Sequence, residues 1–557
     1  MHTDRNAVTL EIRRKRAQSG SNDLIDSTPI SMILRPDIED RSNHAQTKAY
    51  AGPEAAWIHS ITNEKHGFLF SPASDRRLRI SCAPGTFTGE PEWSYMVAHP
   101  YDSNRGFEGS SDLFSPGYFA TDIAGNQTLT LQAEIITEST GATTTPSPAT
   151  AQRKSERNRE EFSLDEAMRN AMRSFIVKRD DLETVIAGYP WFLDWGRDTL
   201  ICLRGLIAAG LIDESTRIIR QFARFEQGGT LPNMLRGSDA SNRDTSDAPL
   251  WLFVACGDLM RATNSRTLLD SDVGGRTIRD VLRSIVASYI KGTPNGVAMD
   301  HKSGLVFSPS HFTWMDTNFP AGSPRQGYPI EIQALWYSAL ETLAGADSDA
   351  KMSDLAGRVR SSIVTLYRKD GQNHLCDCLH GTPGQSAKDA SPDDALRPNQ
   401  LLAVTLSAVS ELALRQAVVS SCEELLVPGA IRTLADRPVK YALPVMGSSL
   451  LNDPHNPYWG RYEGDEDTRR KPAYHNGTAW AWLAPSFSEA LHIAYGATAR
   501  ETALSILSAG AQTASRGCLG YIPEIVDGDA PHILRGCGAQ AWSVTELYRV
   551  LAVLSAR

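Results

Sequence analysis

The densest chemistry in the sequence is Tyr189-Pro-Trp-Phe-Leu-Asp-Trp-Gly-Arg-Asp198, which gathers aromatics, two aspartates and an arginine just ahead of an apolar stretch. Aromatic faces stack on the apolar faces of sugar rings, and an Arg/Asp pair offers donors and acceptors for vicinal hydroxyls. Asp198 as a helix N-cap is the simpler alternative. A second segment, Leu231-Pro-Asn233 followed by Arg243-Asp-Thr-Ser-Asp247-Ala-Pro-Leu-Trp251, again sets an acid at the opening of an apolar helix. Asp247 is either a cap or a site acid. The third, His311-Phe-Thr-Trp314-Met-Asp316, puts an acid in a loop ahead of a helix containing Glu331 and Trp336. A carboxyl packed against an indole is desolvated, which raises its pKa and suits it to general-acid work. Otherwise Asp316 is an exposed loop aspartate.

Leu396-Arg-Pro-Asn-Gln400, and Tyr474-His-Asn-Gly-Thr478 with Trp480 and Trp482, are polar clusters leading into apolar stretches. His475 has no second His or Cys at ligand spacing, so it reads as a hydrogen-bonding side chain and neither a metal nor a cofactor is expected. The last cluster is Gly520-Tyr-Ile-Pro-Glu524-Ile-Val-Asp-Gly-Asp529, followed by Gln540-Ala-Trp542-Ser543. No phosphate-binding Gly-rich loop, nucleophile elbow or HExxH zinc motif occurs. What recurs is carboxylates beside tryptophans. Two acids opposed across an aromatic cleft, one protonated to release a leaving oxygen and one ionised to activate water, are the requirement of glycosidic-bond hydrolysis.

The elements that must hold these residues fall into two kinds. Up to about residue 136, short apolar runs such as Ser94 to Ala98 and Leu129 to Ile135 alternate and favour strands. Residues 137–160, rich in Thr, Ser and Pro, read as a linker. From Ser163, which opens an S-x-x-E capping box with Glu166, the period becomes helical. About twelve amphipathic stretches follow, near residues 163, 199, 213, 247, 274, 330, 350, 398, 423, 478, 499 and 540. Helical hairpins closed into a ring, an irregular bundle and an open superhelix all fit that pattern. The chain of 557 residues is 41% hydrophobic and 22% charged, a globular composition, and its net charge of −9 is spread without a basic block, which disfavours nucleic acid as a partner. Eight scattered cysteines form no CxxC pair, and no stretch reaches membrane-spanning length. Reduced thiols and a cytoplasmic protein without a membrane partner are expected.

The segments WFLDWGRDTL (191–200), LPN (231–233), SDAPLW (246–251), TWMD (313–316), PIEIQALWY (329–337), RPNQ (397–400), YHNGTAWAWL (474–483), IPEIVDGD (522–529) and GAQAWSV (538–544) together resemble the amylo-alpha-1,6-glucosidase part of glycogen debranching enzymes. The resemblance implies a mainly α fold, an (α/α)6 barrel over 161–557 preceded by a smaller, shortened β-sandwich region over 1–136. It also implies an inverting hydrolase that removes single α-1,6-linked glucose residues from a branched α-glucan, the limit dextrin of glycogen. Asp316 then resembles the general acid and Glu524 the general base. Trp195, Arg197, Asp198, Asp247, Trp314, Glu331, His475 and Trp542 resemble substrate-binding residues, with Asp247 the reserve candidate for the acid. Asn104-Arg-Gly-Phe-Glu108 with Asp112-Leu-Phe-Ser-Pro-Gly117 resembles the end of the sandwich in bacterial members. The length leaves no room for the separate 4-α-glucanotransferase barrel of the two-activity enzymes. Two other readings stay open: a related (α/α)6 α-glucosidase of glucoamylase-like or trehalase-like specificity, and a non-catalytic glycan-binding protein.

Overall fold

The computed structural model describes residues 6–18, 24–42, 45–104, 108–136, 163–316, 324–369, 371 and 373–556. The expected linker, 137–160, lies outside the described residues. The chain divides into two compact units, Met1–Glu161 and Phe162–Arg557.

The first unit is built from eight strands, β1 (Ala7–Arg13), β2 (Ile30–Leu34), β3 (Ile61–Glu64), β4 (Gly67–Ala73), β5 (Arg76–Ala83), β6 (Thr86–Ala98), β7 (Ser110–Ile123) and β8 (Thr128–Ile135). They form two antiparallel sheets, ordered β1-β8-β5-β4-β3 and β2-β7-β6. Alternation along the strands supplies the core, because residues two apart share a face. Phe68 and Phe70 of β4 meet Phe114 and Phe119 of β7, with Trp57 from the preceding loop among them.

Among the described residues the second unit has thirteen helices, the single turn Lys471–Tyr474 and twelve more: α1 (Leu164–Phe175), α2 (Gly196–Ala208), α3 (Ile212–Arg224), α4 (Ala248–Thr263), α5 (Ile278–Lys291), α6 (Ile330–Asp347), α7 (Ala350–Leu366), α8 (Leu401–Thr405), α9 (Leu412–Cys422), α10 (Ala484–Tyr495), α11 (Arg500–Thr513) and α12 (Ala541–Ser555). Their starts follow local chemistry. The Ser163 hydroxyl accepts from the Glu166 N–H and opens α1, and Thr277 with Asp280 forms a complete capping box on α5.

The helices alternate in character. In α2, twelve of thirteen residues are buried, whereas α7 buries only Leu355, Ala356, Val359 and Ile363 on one face. A helix that is buried all round must be surrounded by others, and an amphipathic one must cover them. The packing obeys this: α2 contacts α4, α4 contacts α6, and so on through α8, α10 and α12, with α12 returning to α2. The odd-numbered helices lean on this inner set, α7 on α6, α9 on α10, α11 on α10 and α12. Among the described residues no helix is long and apolar enough to cross a membrane.

Two elements depart from the sequence expectation. The helix expected near 423 is α9, which ends there, and Glu423–Leu425 continues as a tight 3-10 turn. The helix expected near 478 begins later, at Ala484, because Ala479–Trp480 pairs into a five-stranded sheet between Ala430–Arg432 and Ile525–Val526. That sheet sets the Trp480 segment directly beside the segment carrying Glu524.

Candidate active site

The site residues come from the loops that lead into α2, α4, α6 and α12 and from the small sheet. Arg197, in the first turn of α2, is fully buried and forms the hub. Its Nε donates to Asp247 Oδ2 at 2.7 Å and its Nη1 to Asp316 Oδ2 at 2.9 Å, so three sequence-distant candidates meet on one guanidinium. Asp247 occupies the N-cap position of α4 but makes no capping bond. Its second oxygen takes the Thr245 hydroxyl at 2.7 Å, and Thr245 in turn accepts from Ala248 N–H. The side chain of Asp247 is 1% exposed and that of Asp316 is 25%, so Asp316 is the partner that an incoming ligand can reach.

Asp198 behaves differently. It is buried in the first turn of α2 rather than capping it, and its carboxyl accepts from the Gln540 amide at 3.3 Å. Burial, only partly offset by Arg197 and reinforced by the nearby charges of Asp316 and Glu524, pushes its pKa up to about 8. The sequence reading gave the raised carboxyl to Asp316, through desolvation against Trp314. In the folded protein Asp316 accepts from the Arg197 guanidinium at 2.9 Å, and burial raises a further carboxyl, Asp198.

Glu524 is 2% exposed and rigidly held. Its backbone N–H donates to the Cys537 carbonyl and its carbonyl accepts from Ala481 N–H. One carboxylate oxygen takes the Cys537 N–H at 2.8 Å and the other takes the Tyr474 hydroxyl in a short bond. Gly536, at φ +64°, makes this possible, since a Cβ there would overlap Glu524 Oε2.

An aromatic cluster joins the Trp314 loop to the small sheet. Trp314 meets His475, Trp480 and Trp482 edge-on at 5.2 to 5.4 Å, and Trp482 stacks on Trp542 at 4.9 Å. His475 stacks on Trp480 at 5.1 Å and is fully buried; burial first, then Arg397, Arg325 and Arg197, holds its pKa well below the usual value, so the ring is neutral. Among the described residues, both ring nitrogens of His475, the indole N–H groups of Trp482 and Trp542, and Gln540 Oε1 are buried polar atoms with no protein partner. Such atoms are costly unless a ligand or water satisfies them.

A family model described as amylo-alpha-1,6-glucosidase matches residues 170–549, more than half of the chain. The chain belongs to the amylo-alpha-1,6-glucosidase family. A second model, glycogen debranching enzyme N terminal, matches residues 1–130. The glycogen debranching enzyme of Saccharomyces cerevisiae is 24% identical over 410 residues, which is 57% of this chain. The chain spans about a quarter of that relative's length, 26%. Among solved structures, a glycosidase variant and a glycosidase variant in complex with glucose are each 15% identical, cover 70% of this chain and 96% of their own, and have TM-scores of 0.45.

In this member of the amylo-alpha-1,6-glucosidase family, Glu331 stands one layer behind the other candidates. Both its oxygens are taken by Arg325, at 2.5 and 2.7 Å, and Arg325 also grips Asp377 at 2.6 Å. Asn399 passes the chain on, donating to Asp377 and accepting from the Trp314 indole, each at 2.7 Å. Arg325 further donates to Thr313 at 2.9 Å, so Glu331 acts on the loop of Trp314 and Asp316 by positioning it. Trp195 is half-buried beside Phe192, in a strand paired with Met234–Leu235. Arg325, Asp377, Thr245 and the Tyr474 hydroxyl were not singled out from sequence. Only Asn399 and Tyr474 carried a signal, as members of polar clusters.

Proposed function

We propose that the chain is an inverting glycoside hydrolase that removes α-1,6-linked glucose from branch points of glycogen-type limit dextrin, on an (α/α)6 barrel made of the inner ring and its outer helices. The observation that carries the reading is the pair of differently held carboxyls: Asp316, reachable and on the Arg197 hub, and Glu524, fixed by Tyr474 and the Cys537 N–H. In this mechanism Asp316 protonates the glycosidic oxygen while Glu524 takes a proton from the water attacking the opposite face of C1. Asp247, with both oxygens engaged and no exposed edge, is the weaker candidate for the acid. The aromatic cluster takes the glucose ring, and neutral His475, Trp482, Trp542 and Gln540 offer their unsatisfied atoms to its hydroxyls. A cytoplasmic location goes with this reading.

The deciding experiment is incubation of the purified protein with phosphorylase limit dextrin, following free glucose and its first anomer by NMR. Initial β-glucose supports both activity and inversion. Faster release from maltose or trehalose would overturn the branch-point specificity, and no release from any of them would overturn hydrolysis.

A further inference from the structure

The segment Leu396-Arg-Pro-Asn-Gln400 leads into α8 of the inner ring, and its three polar side chains are all buried. Pro398 keeps Arg397 extended, at φ −129° and ψ 157°, and the Gln400 amide holds the Arg397 carbonyl at 3.2 Å. A guanidinium so far from water must find its partners inside the protein. They lie on two sides. On the first, Arg397 Nε stands 3.6 Å from Asp377 Oδ2, an ion pair longer than a hydrogen bond. Asp377 is the carboxylate that Asn399 and Arg325 tie to Trp314 and Thr313, so this side belongs to the loop of Asp316. On the second, the contacts are closer. Nη1 donates to the Thr433 carbonyl at 3.0 Å and, in a short bond, to the His475 carbonyl, while Nη2 donates to Asn476 Oδ1 at 2.8 Å.

That second side is the frame of Glu524. Tyr474, next to His475 in the chain, gives Glu524 its hydroxyl. Thr433 Oγ1 accepts from the Gly477 N–H and donates to the Thr478 carbonyl, each at 2.9 Å, which fixes the start of the Ala479–Trp480 strand that pairs with Ile525–Val526. The charges close as well, with Arg325 and Arg397 facing Glu331 and Asp377. Burial raises the Asp377 carboxyl, but Arg325 and then Arg397 outweigh it and hold its pKa below the ordinary value. A lysine would neutralise Asp377 equally, yet it has no planar fork with which to reach two carbonyls and an amide at once. Arg397 therefore does more than balance a charge; it spans the two halves of the site.

We propose that Arg397 is a positioning residue that sets the separation of Asp316 and Glu524 by tying the Asp316 loop to the segment of Tyr474 to Thr478. The proposal rests on the reading of these two carboxyls as acid and base. An inverting site needs them about 6.5–9.5 Å apart to seat the water. Arg397→Lys keeps the charge and loses the fork, and a misplacement of about 1 Å lowers turnover about 10²-fold. That fall in kcat is expected on both limit dextrin and α-glucosyl fluoride, with KM within about threefold. Fluoride leaves without a proton donor, so Asp316→Asn should keep most of its fluoride turnover. Fluoride turnover kept in Arg397→Lys as well would confine Arg397 to the acid side and overturn the strut. Crystal structures of wild type and Arg397→Lys read the carboxyl separation directly, and a change of about 1 Å is expected. An unchanged separation overturns the positioning role whatever the turnover. Asn476→Ala removes one acceptor of the fork; it should show the same pattern at about 10-fold and carries the test if the lysine variant does not fold. A changed separation in a protein that hydrolyses neither substrate supports the strut and overturns the hydrolytic reading instead.

Discussion

Two charge networks share helix α2, about two turns apart, and they are built on opposite plans. At the far one, Arg204 bonds Asp258 of α4 at 3.2 Å and Glu546 of α12 at 3.5 Å, while Arg549 bonds Glu546 and, through both Nη atoms, Glu489 of α10. Every carboxylate there touches a guanidinium. Glu489 is 13% exposed, and Arg549 overcomes the cost of its partial burial and holds its pKa below the usual value. At the near network Arg197 serves Asp247 and Asp316, and Asp198 is left with an amide, so burial wins and its pKa rises. One guanidinium more or less decides whether a buried carboxyl acts as a structural tie or a proton holder. The far network joins four consecutive helices of the inner ring; the near one leaves Asp198 without a guanidinium hydrogen bond.

The comparison can be broken at several points. Glu524→Gln and Asp316→Asn should each lower kcat about 10³-fold or more with little change in thermal midpoint, because they remove reacting groups and no ring contact. Steady-state kinetics beside a thermal melt checks this, and near wild-type turnover in either would dissolve the functional half of the contrast. Arg549→Met should do the reverse. Stranding the Glu489 carboxylate, while Glu546 keeps only Arg204, costs about 3–5 kcal/mol, read by urea unfolding. Gly536→Ala should push Glu524 off its Cys537 anchor and lower kcat about 10²-fold, with KM nearly unchanged.

A further expected effect is a pH dependence of stability. Asp198 titrates at an ordinary 3.8 when unfolded and about 8 when folded. Between those values the folded state binds the extra proton, so this group's contribution to stability falls as pH rises. Asp198→Asn lacks that loss, and its unfolding free energy relative to wild type should therefore grow from pH 5 to pH 8. A difference that stays flat would mean that Asp198 is ionised throughout.

Much of this was legible in the residue order. Apolar periodicity marked α1, α6, α7 and α12 close to their starts, since caps such as Ser163 and Asp349 act locally. Asp247 and Asp316 stood out because each sits beside a loop or helix opening in an aromatic context. The misplaced helix near 478 failed for a non-local reason, the pairing of Ala479–Trp480 with distant strands. The guanidinium partners were equally hidden. Arg197 reaches across 119 residues to Asp316, and nothing near Arg325 announces its hold on Glu331 and Asp377. Which carboxyl keeps a proton depends on those partners, and so it became readable only in three dimensions.

The Asp198–Gln540 hydrogen bond joins residues 342 positions apart, and Gln540 opens α12, the helix that returns to α2. Contacts of such span bear the largest loop-closure cost and so weigh on the rate of folding. The reactive pocket therefore takes its final form only when the ring closes. A nascent chain carries Arg197 long before it carries Glu524 or Gln540, and Asp198 gains its amide partner only once Gln540 has been added.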